Sequence, residues 1–112
     1  ARGVSYLPPD CLREGRLLNA ARRSLVARAV GHLDAAQRYV LSVPPEHTDM
    51  RIFCLIAHHL ALATLRLVAG GTEPAKVDRA SVAAIVASVH ESAANDDALD
   101  RMYRAYRSAA LA

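Results

Sequence analysis

The chain has 112 residues, a formal charge of +3 and 53% hydrophobic residues, but only 4% aromatic residues and no Trp. That suits one domain with a modest core, and an apolar mass of mostly Ala, Leu and Val favours packed helices over sheet. Scattered arginines without interleaved aromatics argue against a nucleic-acid surface. The two cysteines are too few for a disulfide framework. No signal peptide is legible, and no uninterrupted apolar run reaches the ~18 residues that cross a bilayer.

In chain order, Leu7-Pro8-Pro9 predicts an extended start and a short helix from Pro9 to about Arg13, ended by Gly15. A long helix follows, about Leu17 to Ser42, with an apolar stripe of Leu18, Ala21, Leu25, Ala29, Leu33, Ala36 and Val40. Pro44-Pro45 ends it, and Thr48 or Asp49 is the expected cap of the next helix. That helix, about Met50 to Ala69, is apolar nearly all round from Ile52 to Leu65, which predicts a buried central element stopped by Gly70-Gly71. Asp78 should cap a fourth helix, about Arg79 to Ala94, with Val82, Ile85, Val86 and Val89 inward. A last helix, about Asp97 to Ala110, should turn Leu99, Met102, Tyr103 and Tyr106 inward. No linker marks a domain boundary.

Two clusters invite a metal reading. Asp96-Asp97-x-x-Asp100 has the look of a magnesium-binding carboxylate motif, but acids at a helix start complement the dipole and cap free N–H groups. His58-His59 with Cys54 and His47 lacks the convergent ligand set that zinc needs, so helix histidines are expected. Cys54 reads as a buried small hydrophobe, in keeping with a reducing, cytoplasmic setting.

The segment Phe53-Cys54-Leu55-Ile56-Ala57-His58-His59-Leu60-Ala61-Leu62-Ala63-Thr64-Leu65 resembles a helix of squalene synthases, in the squalene/phytoene synthase family of head-to-head prenyltransferases. Gly3-Val4-Ser5-Tyr6-Leu7-Pro8, Ala29-Val30-Gly31-His32-Leu33 with Tyr39, and Lys76-Val77-Asp78-Arg79 resemble further family segments in the same order. The resemblance implies an all-α helical bundle, the C-terminal part of an isoprenoid-synthase-type fold. It also implies a longer parent enzyme that condenses two polyprenyl (farnesyl) diphosphates with Mg2+, whose Asp-rich ligand motifs do not occur here. NADPH would serve only if squalene is formed. The 112 residues alone are then expected to be inactive.

By the same resemblance, Phe53, Cys54, Ala57, His58, Leu60 and Ala61 line the substrate tunnel, and Arg2 and Tyr6 are diphosphate-side candidates. Val4 stands where the family carries a diphosphate-binding arginine, and Ala57 replaces a proline. An apolar wall with one phenyl face suits a reaction that must keep an allylic cation from water. The alternative reading is a non-catalytic helical module that self-associates through an exposed apolar helix face, or binds an apolar lipid or partner. Peripheral association with a membrane is compatible with either.

Overall fold

The computed structural model describes residues 8–72 and 74–112; side chains are described for 15, 16 and from 18 onward, apart from 73. Four helices follow in order: α1 (Pro8–Ser42), α2 (Thr48–Ala69), α3 (Arg79–Ser92) and α4 (Asp96–Leu111). The described residues contain no strand, so the expected all-α helical bundle stands. α2 and α4 touch each other, and each touches both α1 and α3, which barely meet one another.

Gly15 does not end a helix. α1 runs through it without interruption, and nothing crowds the position. A helical Gly still donates its N–H, so it weakens the helix by about 1 kcal/mol relative to Ala without breaking it. The apolar register of α1 also differs from the expected stripe. Val26, Val30, Gln37 and Val40 are buried, Leu33 is half-buried, and Leu18, Ala21 and Leu25 are exposed. Leu18, Ala21 and Leu25 find no neighbour among the described residues to bury them.

Thr48 and Asp49 do not cap α2. The N-cap is His47, with no side-chain cap bond, and Thr48 Oγ1 instead donates to the Pro45 carbonyl at 2.9 Å. The far end behaves as Gly70-Gly71 predicts. Gly71 has φ 75°, Thr72 N donates to Leu67 O at 3.0 Å and Gly71 N to Val68 O at 3.0 Å. That pair of bonds is a Schellman end, which needs the left-handed conformation that only Gly takes cheaply. Asp78 Oδ1 accepts from Ser81 N at 2.7 Å to start α3. Asn95 Oδ1, one residue before the acidic run, accepts from Ala98 N at 3.0 Å to start α4.

The core has two apolar clusters. Val40, Leu55, Ile85, Val89, Ala93 and Leu99 form one. Val26, Val30, Leu62, Tyr103 and Ala110 form the other. α2 contributes to both and is 22 residues long, apolar enough to cross a membrane by length and composition. The uninterrupted-run reading missed this because Arg51, His58-His59 and Arg66 break the run without lowering its average far. Arg51 and His59 point into the bundle and are fully buried, but only 17% of the apolar stretch is buried, so α2 is in contact with every other helix without being the enclosed central element expected from its sequence.

Candidate functional site

At about 100° per residue, Arg51, Leu55, His59 and Leu62 share the inward side of α2, and all four are buried. The opposite side carries Met50, Phe53, Ala57, Leu60, Ala61 and Thr64. Phe53 is 80% exposed and Met50 57%, and no Asp, Glu, Lys or Arg occurs from Ile52 to Leu65. A solvated helix face normally carries charge every turn. This one is apolar and open at Phe53 and Ala57, with Asp49 one turn before Phe53 and Leu60 packed against the core at its far end.

The expected tunnel residues divide between this face and its flank. Phe53 and Ala57 are exposed, and Leu60 and Ala61 are half-buried along the same side. Cys54 and His58 sit about a quarter turn or more round the helix. Cys54 is a free, half-buried thiol packed against the first cluster. His58 is half-buried, and its Nδ1 is enclosed without a hydrogen-bond partner. Arg2 and Tyr6 lie outside the described residues.

Between the two apolar clusters lies a polar layer. Gln37 falls between Val30 and Val40 on α1, His59 between Leu55 and Leu62 on α2, and Tyr103 follows Leu99 by one turn on α4. His59 Nδ1 is 2.9 Å from the Leu55 carbonyl, which makes Nδ1 the protonated nitrogen. Its Nε2 has no partner, and neither has either amide atom of Gln37. Tyr103 and Tyr106 meet the His59 ring edge-on at 5.9 and 5.2 Å. Burial lowers the pKa of both His59 and His58, because the imidazolium would lose its hydration. Burial therefore disfavours the charged form of His59, which packs as a core residue.

One edge of this layer is tied by charge. Tyr103 Oη donates to Asp34 Oδ1 at 2.8 Å. Arg107 binds the same carboxylate through Nε at 2.9 Å and Nη2 at 3.0 Å. The Arg107 fork holds the Asp34 carboxyl below its ordinary range. Burial, and then the Asp34 charge, push the Tyr103 phenol up.

A second buried polar node was not legible from the helix pattern. Arg51 is fully buried. Its Nε and Nη2 donate to Val43 O at 3.0 and 2.6 Å. Nη1 donates to Ala93 O at 3.1 Å and to Asp96 Oδ1 at 2.7 Å. One guanidinium thus joins the chain just after α1, the end of α3 and the first turn of α4. The signal was present: Arg51 lies four residues before Leu55 on the inward side of an apolar helix.

The carboxylate run has structural partners. Asp96 meets Arg51, Asp100 pairs with Arg104 at 2.8 Å, and Asp96 and Asp97 occupy the first turn of α4. Among the described residues no three His, Cys, Asp or Glu side chains gather to hold a metal ion.

No protein-family model matches the chain, no curated protein matches it, and no solved structure matches it. This corrects the attributes carried over from the resemblance. Transferase, prenyltransferase, squalene or phytoene synthesis, isoprenoid biosynthesis and magnesium have no support as labels for this chain. The resembling segments are short, and the longest, Phe53 to Leu65, is an apolar helix whose residue types helix packing alone favours. The all-α helical bundle is what remains shown.

Proposed function

We propose that the four-helix unit is an interaction module whose open α2 face docks against another apolar helical surface. The observation that carries this reading is the charge-free stretch Ile52–Leu65, whose outward side exposes Phe53 and Ala57. Covering an exposed apolar side chain gains about 25 cal/mol per Å2, so such a face favours a partner of like character. A second copy of the chain supplies one such surface and makes the reading testable. Sedimentation velocity across a concentration series should show association that Phe53→Asp and Ala57→Asp abolish at unchanged helicity. A wild-type chain that stays monomeric throughout overturns the proposal.

One observation favours a second reading. Phe53, Ala57, Leu60 and Ala61, which the resemblance places along a tunnel, share the open face. In this reading the bundle is the C-terminal part of an isoprenoid-synthase-type fold, and its face is one wall of a site for a long apolar chain. No transfer chemistry is assigned to these residues. Saturable binding of farnesol without added metal, lost in Phe53→Asp, supports it; farnesol binding that Phe53→Asp leaves intact counts against it.

A further inference from the structure

A second concavity lies on a different side of α2. It is a groove of about 500 Å3 between α2, α3 and α4, closed at one end by the loop before α3. Leu62 and Ile85 form its buried floor, and Leu67, Val77 and Tyr106 are half-buried along its walls. Ala84, Ala105 and Ala109 keep it open by being small. The open α2 face described above does not contribute to it.

The rim of this groove is charged. Arg66 and Lys76 line it, and among the described residues the side chain of neither makes a hydrogen bond or ion pair. Asp78 also lines it, but its carboxylate is engaged by the Ser81 N–H at 2.7 Å as the cap of α3. An apolar trough with two cations at one end matches a molecule with an apolar chain and an anionic head. Chain burial supplies affinity, and the charge–charge contact fixes direction.

We infer that the groove between α2, α3 and α4 binds a single-chain amphiphile, its chain along Leu67, Val77 and Tyr106 over the buried floor and its one anionic head group at Arg66 and Lys76. The inference does not depend on the proposed docking of the α2 face, and the two fail separately.

Dodecanoate is the probe, titrated by calorimetry into the 112-residue chain below its micelle concentration. Saturable 1:1 binding is expected. The double substitution Arg66→Gln with Lys76→Gln should weaken it about tenfold or more, by loss of a charge-assisted contact. Dodecanol should bind the wild type and the double variant alike. Ala105→Trp, at an exposed position of α4, should fill the trough and abolish binding while circular dichroism stays unchanged. Three results overturn the inference. One is no saturable binding. Another is binding that neither substitution alters. The third is binding that Phe53→Asp removes, which would move the ligand to the opposite face of α2.

Discussion

Replacing Arg51 by Met keeps the length and apolar stem of the side chain and removes five polar contacts at once. The Asp96 side chain is 58% exposed, so it rehydrates and adds little to the loss. The carbonyls of Val43, Leu41 and Ala93 are the sensitive partners, since each loses a donor next to the core. Leaving a buried acceptor orphaned costs about 1–3 kcal/mol, and breaking a buried ionic node about 3–5 kcal/mol. Partial solvation around Val43 trims the sum, so Arg51→Met should destabilise by about 3–5 kcal/mol. For a chain of this size that lowers Tm by roughly 15 °C. Arg51→Lys keeps the charge but not the planar fork, and should still lose about 2 kcal/mol. Urea unfolding followed by circular dichroism measures both. An Arg51→Met variant within about 1 kcal/mol of wild type would refute the idea that this node holds the helix ends together.

Gln37→Leu removes two buried amide atoms that have no partner, and should stabilise by about 1–2 kcal/mol in the same urea assay; a loss would mean that the amide is satisfied by an enclosed water. Because the folded-state pKa values of His59 and His58 lie below 6.5, their neutral forms stabilise fully above pH 6.5. That stability is lost as pH falls from 6.5 through the lowered folded values, and His59→Leu should reduce the slope there. Asp34 acts in a separate window, its contribution being present above pH 3.8 and lost as pH falls through its lowered folded value. Unfolding curves at steps from pH 7.5 to pH 3 separate the two. Leu25→Gln, at a 62% exposed position, should change stability by no more than about 0.5 kcal/mol, whereas Val30→Ala in the second cluster should cost about 2 kcal/mol. Equal effects at the two sites would mean that α1 packs in a different register.

The helix count and most ends were legible because their signals are local. Pro44-Pro45, Gly70-Gly71 and Asp78 act within a few residues of themselves, and the inward sides of α3 and α4 follow from their spacing. The register of α1 was not. The expected stripe holds from Ala29 to Val40, where Ala29, Leu33 and Ala36 are half-buried and Val40 buried, but before it the buried residue is Val26 and not Leu18, Ala21 or Leu25. Asp34, which reaches Tyr103 69 residues on and Arg107 73 residues on, turns the helix toward the Val26 and Val30 side. Which side of α2 stays open was likewise not legible, since an all-round apolar helix carries no mark of which side its neighbours leave uncovered. Arg51 was passed over because a lone arginine in a first turn reads as solvated until its carbonyl partners come from distant chain ends.

The Asp34 carboxylate, with the tyrosine and arginine it holds, has a consequence for how many packings this sequence can adopt. Helices made largely of Ala, Leu and Val offer several near-equivalent fits, because sliding one past another by a turn exchanges small apolar contacts for similar ones. Sliding α1 against α4 by a single turn, about 5.4 Å, would leave a carboxylate, a phenol and a guanidinium all without their partners. The penalty falls on every alternative and on none of the native contacts. In a core this uniform, three polar side chains act as an alignment mark, selecting one arrangement among neighbours that hydrophobic burial alone would not tell apart.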